Sequence, residues 1–285
     1  MSRLRLLILC GGAPRHRYFA NALCRRAEVL AIVQESGGEW SREKILRVLR
    51  PKTLTSKAWR WLRDRRRYTG DRESQFFFGD APATLDRADL VRTFPTVNHP
   101  GVADLVTALS PDLIAVFGTS LIKGALLEAG RPRLVNLHGG LSPQYRGADC
   151  TFWALYNGEP EQVGCTIHYI DPGIDTGGLI AHSSPEVRPG DDELMLFWRA
   201  VAHSTDVFAE FLDRVAAGER FGQQQPGRGR LYQVKDRLLR HERALARRMP
   251  HGIPADIRLP ARTRWFPADE TEDIREVDIA CAISR

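Results

Sequence analysis

Asn136 and His138 stand two apart in Arg133-Leu134-Val135-Asn136-Leu137-His138, and Asp175 stands in the run Asp171-Pro172-Gly173-Ile174-Asp175-Thr176-Gly177-Gly178. On an extended segment an i, i+2 spacing turns both side chains to one side, where they can converge on one small group. A tight glycine-rich loop can present a carboxylate to the same point. Together the three suit the attack of an amine on a carbonyl carbon, in which an oxyanion develops and a proton must leave the nitrogen. An Asn136 amide N–H would meet the oxyanion, a contribution of about 3 kcal/mol in comparable sites. His138, neutral or as imidazolium, would assist the oxyanion and the proton transfers. Asp175 would raise its basicity or collect the amine proton, directly or through water. By spacing alone, capping and turn-forming roles for the same residues stay open.

Other chemistries lack their residues. There is no G-x-S-x-G elbow and no H-x-x-x-H pair, so neither a serine-type triad nor a zinc site is indicated. The five cysteines, Cys10, Cys24, Cys150, Cys165 and Cys281, form no C-x-x-C pair and read mostly as small buried apolar residues.

The elements that must position the three residues follow the rhythm of a doubly wound α/β sheet. Leu4–Cys10 is an apolar strand ended by Gly11-Gly12, Arg15–Arg26 has helical spacing, and Glu28–Gln34 is a second strand. After a stretch of different character come a helix near Val102–Leu109, a strand at Asp112–Gly118 and the strand Arg133–His138. A helix from about Ala148 to Asn157, strands at Val163–Ile170 and Gly178–His182, and a helix from Asp191 to about Ala217 complete the pattern, and the sheet is expected to end there. In such a sheet ligands bind outside the carboxyl ends of the strands, where Asn136 and His138 fall. Residues 1–220 are therefore expected to form one catalytic domain. Residues 221–285, with a basic helical pattern over Val234–Met249, are expected to pack back on it as a short C-terminal extension. A basic helical insertion at about 41–72, divided by Pro51 and holding Trp59 and Trp61, reads chiefly as a solvated face.

At 285 residues and 43% hydrophobic content the chain can bury one large core. No run of about 18 apolar residues is present to span a bilayer, and Met1–Cys10 is too short for a signal peptide, so a cytoplasmic location is expected. The net charge of +6 suits an anionic partner but does not choose among nucleotide, folate tail and nucleic acid.

The twelve residues Asn136-Leu137-His138-Gly139-Gly140-Leu141-Ser142-Pro143-Gln144-Tyr145-Arg146-Gly147 resemble the signature of the folate-dependent formyltransferase family. There Asn-x-His precedes a Leu-x-Pro turn and an aromatic-x-Gly step. Asp171-x-Gly-x-Asp175-Thr176-Gly177 resembles the family's second signature, and Val116–Ile122 its folate-side loop. The resemblance implies a Rossmann-like formyltransferase fold, 10-formyltetrahydrofolate as donor, no metal, and Asn136, His138 and Asp175 as the catalytic residues. It places Phe117, Gly118, Thr119, Leu121, Ile122, Asp171 and Gly173 on the cofactor. Ser142, Tyr145 and Arg146 are acceptor contacts or turn formers. Arg15 and His16, before the first helix, are candidates for an acceptor phosphate, with surface solvation as the alternative. His168 is left as a core or pocket histidine without a role, and Trp153 and Tyr156 as core or pocket wall. Two departures stand out: Gly139-Gly140 replaces the common Pro-Ser, and Cys10-Gly11-Gly12-Ala13-Pro14 lacks the Gly-Ser-Gly-Ser loop of the purine-pathway enzyme, which argues against glycinamide ribonucleotide as acceptor.

The expected acceptor is a small-molecule amine, first a nucleotide-linked amino sugar, then an amino acid or siderophore precursor. A methionyl-tRNA formyltransferase ranks lower because only about 65 residues follow the catalytic domain, too few for a large basic β-domain. A formyltetrahydrofolate hydrolase would carry a regulatory domain before the first strand. Nucleic acid and membrane are not expected partners, and a homodimer is compatible with these features. The non-enzymatic alternative is a nucleic-acid-binding module gripping phosphates through the basic helices.

Overall fold

A computed structural model describes residues 3–36 and 71–268. The basic insertion at 41–72, apart from its last two residues, and the stretch 269–285 lie outside the described residues. Strand β1 (Arg5–Cys10) leads through α1 (Pro14–Cys24) to β2 (Glu28–Glu35). Then come α2 (Arg72–Phe78), β3 (Val91–Phe94), α3 (Pro100–Leu109), β4 (Leu113–Phe117), α4 (Ala125–Gly130) and β5 (Leu134–His138). The second half holds β6 (Tyr145–Gly147), α5 (Cys150–Asn157), β7 (Cys165–Tyr169), β8 (Leu179–Ser184), α6 (Glu193–Ala216), β9 (Arg230–Tyr232), α7 (Leu239–Arg248) and β10 (Arg262–Trp265).

The main sheet runs β10-β8-β7-β5-β4-β1-β2-β3. β3, β2, β1, β4 and β5 are parallel, whereas β7 pairs antiparallel with β5, β8 with β7 and β10 with β8. Alternation along β1 splits its apolar residues between two layers. Leu6, Ile8 and Cys10 face Phe19 and Leu23 of α1, Phe77 of α2 and the apolar side of α6. Leu7 and Leu9 face Val102 and Val106 of α3 and Leu126 of α4. Each such fully buried Leu or Ile contributes about 1.5–3 kcal/mol. Helices cover both faces, so the α/β doubly wound expectation agrees with the architecture, and strand order reverses between β1 and β4, at the ligand end of such sheets.

Three differences from the sequence reading concern short, polar strands. β3 has an intermediate and exposed pattern throughout, so VRTF offers no apolar alternation to detect. β10 (RTRW) joins the sheet as an edge strand after α6, where the sheet was expected to have ended. β9 pairs in parallel with β6 in a separate two-stranded ribbon. The helix expected over Val234–Met249 begins only at Leu239.

The residues after α6 lie against the rest of the molecule at several points. Arg237, completely buried, donates to Asp149 at 2.9 Å, to both carboxylate oxygens of Glu193 at 2.9 and 2.8 Å, and to Glu242 at 2.5 Å. Its guanidinium lies 3.8 Å from the ring centroid of Phe152 in α5. Gly147 makes the β6–β9 approach feasible: its φ is +89°, and a Cβ there would fall 2.1 Å from the Tyr232 carbonyl oxygen. Gly147→Ala is therefore expected to lose about 1–3 kcal/mol from backbone conformation alone and to unseat β9. Denaturation midpoints and protease sensitivity of residues 221–268 check this; an unchanged midpoint would contradict it.

Candidate active site

Leu134, Asn136 and His138 share one face of β5, and the antiparallel register sets His168 of β7 opposite Asn136 and Thr166 opposite His138. The chain then turns through Asp171–Gly178, where Asp171 Oδ1 accepts from the Gly173 N–H at 3.0 Å and from the Thr176 hydroxyl at 2.6 Å. Asp175 in this loop has φ +51°. Its Oδ2 lies 3.4 Å from His138 Nδ1 and accepts the Gly147 N–H at 2.9 Å, while its Oδ1 lies 3.5 Å from His168 Nε2. The three sequence candidates are thus brought together, with His168 as a fourth member that the sequence reading left without a role. Its signal lay in strand alternation, but the register that pairs it with Asn136 is set across 32 residues of chain.

Carbonyl oxygens only accept, which assigns the ring protons. His168 Nδ1 lies 2.7 Å from the Tyr169 carbonyl and so donates to it, leaving Nε2 to accept from Asn136 Nδ2 at 3.2 Å. One amide hydrogen of Asn136 is engaged in this way and the other stays available to a ligand oxygen. His138 Nε2 donates to the Tyr145 carbonyl at 3.1 Å and has the Cys150 thiol at 3.7 Å, so Nδ1 is the nitrogen turned to Asp175.

Both partners are secluded, His138 with 7% and Asp175 with 13% of the side chain exposed. Burial lowers the His138 pKa more than the Asp175 charge raises it. For Asp175 burial acts upward, but His138 and His168, each positively charged once it takes a proton, and the Gly147 N–H outweigh it and hold the carboxyl well below the usual range. The resting pair is a carboxylate beside a neutral imidazole. Because the folded carboxyl titrates below the unfolded value of about 3.9, its ionisation stabilises fully above that pH, and this stability is lost progressively as pH falls from there through the lower folded value. The stability gap between the parent and Asp175→Asn is expected to be widest above about pH 5 and to narrow below about pH 4, as urea unfolding across pH would report. A gap that widens on acidification would refute the pairing.

The folate-side candidates line the end of β4. Phe117 is buried edge-on to His16, with centroids 4.8 Å apart, and Gly118 takes φ +70°. The loop Gly118–Lys123 is held by Glu35, which accepts the Ser120 N–H at 2.9 Å, and by Asn98, which donates to the Leu121 carbonyl at 2.9 Å. Thr119 Oγ1 donates to the Ser120 carbonyl, Ile122 is buried, and Leu121 is 55% exposed. Ile174 of the Asp175 loop is 39% exposed, a second large apolar side chain open to solvent.

The acceptor-side candidates have partners within the chain. Ser142 is fully buried, its N–H donating to Thr166 Oγ1 at 2.9 Å, so it works inside the turn rather than toward an acceptor. The buried Tyr145 places its hydroxyl against Glu159 and Asn157 and stacks on Tyr232. Arg146 donates to the Ile174 and Gly229 carbonyls, both at 3.2 Å, as a brace between two segments. Arg15 is paired with Glu73 at 2.7 Å and lies over Phe197. His16 is a buried wedge whose pKa burial lowers to about 3, so it brings no positive charge to a phosphate. Its Nδ1 accepts the Ala13 N–H at 3.2 Å, and its ring occupies the space that a Cβ at Gly11 or Gly118 would need. The Gly139-Gly140 departure is also explained by neighbours: a Cβ on Gly140 would meet Cys150 Cβ and the Tyr145 carbonyl at 2.6 Å, and one on Gly139 would meet Phe197 at 3.1 Å.

Residues 81–210, which contain the whole constellation, match the family model described as formyl transferase. This segment belongs to the formyl transferase family. Curated relatives of the segment include methionyl-tRNA formyltransferases from Chlorobium chlorochromatii, 36% identical over 42% of this chain and 38% of its own length, and from Trichlorobacter lovleyi, 38% identical over 44% and 39%. The chain thus spans about two fifths of the length of these relatives. Among solved structures, a sugar N-formyltransferase from Shewanella sp FDAARGOS_354 has TM-score 0.56 and 16% identity, covering 93% of this chain and 98% of that one. Glycinamide ribonucleotide transformylase 1 from Symbiobacterium toebii has TM-score 0.52 and 20% identity over 76% and 89%. At these identities they share the fold of the formyl transferase segment and of its surroundings. No described helix is long and apolar enough to cross a membrane.

Proposed function

We propose that this chain is a 10-formyltetrahydrofolate-dependent N-formyltransferase whose acceptor is a small-molecule amine, first a nucleotide-linked amino sugar. The observation that carries the reading is the convergence of the Asn136 amide, the neutral His138 imidazole and the ionised Asp175 carboxylate at the end of β5. The folate donor supplies a formyl group bonded to a nitrogen that can leave. Leu121, Ile122 and the Gly118–Lys123 loop, with the Asp171-Gly173 turn, would hold it.

Each residue has a defined task. Asn136, oriented by His168, directs its second amide hydrogen at the oxygen where negative charge develops. The His138–Asp175 pair receives the amine proton, since a proton on Nδ1 would sit between the ring and a carboxylate 3.4 Å away. The same proton can then return to the departing nitrogen. No covalent enzyme intermediate is required.

Support for the sugar-nucleotide acceptor is the likeness of fold to a sugar N-formyltransferase over 93% of the chain, together with the absence of the Gly-Ser-Gly-Ser loop. The second reading, transfer to methionyl-tRNA, is favoured by the curated relatives of the central segment. The described part of the extension is taken to border the acceptor side, because surface segments set substrate choice while strand ends hold the chemistry. Tetrahydrofolate release from 10-formyltetrahydrofolate, with nucleotide-linked amino sugars, amino acids, glycinamide ribonucleotide and charged initiator tRNA supplied in turn, tests both. Release that depends on one amine names the acceptor class. Equal release with and without amines would replace transfer by hydrolysis.

A further inference from the structure

Gln225 belongs to the C-terminal extension but reaches back to the loop that carries Asp175. Its Nε2 donates to the Asp175 carbonyl at 3.0 Å and to the Gly177 carbonyl at 2.8 Å. A primary amide nitrogen has two hydrogens, so one side chain serves both carbonyls, and the requirement for two donors fixes which end of the amide faces the loop. Gln225 Oε1 is buried without a partner among the described residues. An unsatisfied buried acceptor is costly and calls for a compensating reason. The loop itself is in a sparsely populated conformation at Asp175, φ +51°, which persists only where its surroundings over-determine it. Arg146 grips the preceding residue through the Ile174 carbonyl and reaches the extension through Gly229.

We propose that Gln225 is a positioning residue that fixes the backbone of the Asp175 loop, so that one carboxylate oxygen faces His138 and the other His168. The extension thereby becomes part of the reacting centre. This rests on the reading of that centre given above. Gln225 itself touches neither donor nor acceptor; it acts through the two carbonyls. Without its two hydrogen bonds the loop can relax toward ordinary backbone conformations and carry the carboxylate away from both imidazoles.

The test compares the full chain with Gln225→Leu, which keeps the size and removes both donors, and with Gln224→Leu, a change at the exposed neighbouring residue. Two quantities are read: the titration of the Asp175 carboxyl carbon by carbon-13 NMR, which needs no acceptor, and kcat and KM across pH. In Gln225→Leu the Asp175 titration is expected to move up by about one pH unit or more as the imidazoles withdraw. The expected fall in kcat is about 10- to 100-fold, with the acceptor KM within about threefold. Gln224→Leu is expected to match the parent in both. Should Gln225→Leu melt below the assay temperature, Gln225→Asn, which keeps the amide but shortens its reach, is expected to shift the titration in the same direction. An unmoved Asp175 titration in a folded variant, or an equal loss in Gln224→Leu, would overturn the proposal. A parent chain that releases no tetrahydrofolate while the titration still moves in Gln225→Leu retains the positioning role and rejects formyl transfer as the reaction.

Discussion

His138→Ala is expected to lower kcat about 10²- to 10⁴-fold, the range for removal of a general acid–base group, while the fold survives. The imidazole is the group whose Nδ1 can take a proton within 3.4 Å of a carboxylate that stays ionised, and no other described ring nitrogen combines that neighbour with a place on the Asn136 face of β5. His168 is nearby, but its Nδ1 is committed to the Tyr169 carbonyl and its Nε2 to the Asn136 amide. It is therefore a poor substitute. Burial keeps His138 neutral and ready to accept a proton rather than already charged. The check is kcat with 10-formyltetrahydrofolate and the responsive amine, with a thermal melt to confirm folding. A variant within about threefold of the parent would remove His138 from the chemistry.

Arg237→Ala is expected to cost about 3–5 kcal/mol of stability, the magnitude found when one partner of a buried charged network is removed. The guanidinium is completely enclosed, lies on Phe152 and meets Asp149, Glu193 and Glu242. Its removal leaves three carboxylates around a void. Lysine does not repair the site, because its single ammonium cannot reproduce the two-pronged bond to Glu193 or the flat contact with the ring. A fall in the urea midpoint with an unchanged slope would be the signature, and a midpoint within experimental error of the parent would show that the network contributes nothing net. The loss is expected to appear first as faster proteolysis of residues 221–268, since Arg237 joins that segment to α5 and α6.

The parts of the molecule legible in the sequence were those with strong local patterns. β1, β4 and β5 are continuous apolar runs ending at glycine or at the Asn136–His138 pair, and α6 has a long apolar face opened by Asp192, whose side chain accepts from the Met195 N–H at 2.7 Å. The triad was legible because i, i+2 spacing and a tight loop each constrain direction. β3, β9 and β10 were not, because short strands with exposed side chains carry no alternation and their pairing is decided by distant chain. The partners of the acceptor-side candidates were hidden for a related reason. Arg15 and Arg146 are cations whose partners, Glu73 and the Ile174 and Gly229 carbonyls, come from segments 28 to 83 residues away. Composition assigns a charge to such residues but not a counterpart. His16 was read as a candidate for an acceptor phosphate or a solvated group, whereas the missing side chains at Gly11 and Gly118 make the hollow that encloses it.

The short ribbon of β6 and β9 orders events in time. β6 supplies the Tyr145 carbonyl to His138 and the Gly147 N–H to Asp175, and it is closed by a strand about 85 residues later, itself fastened by Arg237. During synthesis the parallel core can form as β1–β5 emerge, whereas the ribbon must wait until the ribosome has released residues 230–242. Closing so long a loop is slow compared with local folding. A nascent chain therefore holds most of the parallel sheet while the contacts of β6 with His138 and Asp175 still wait for β9.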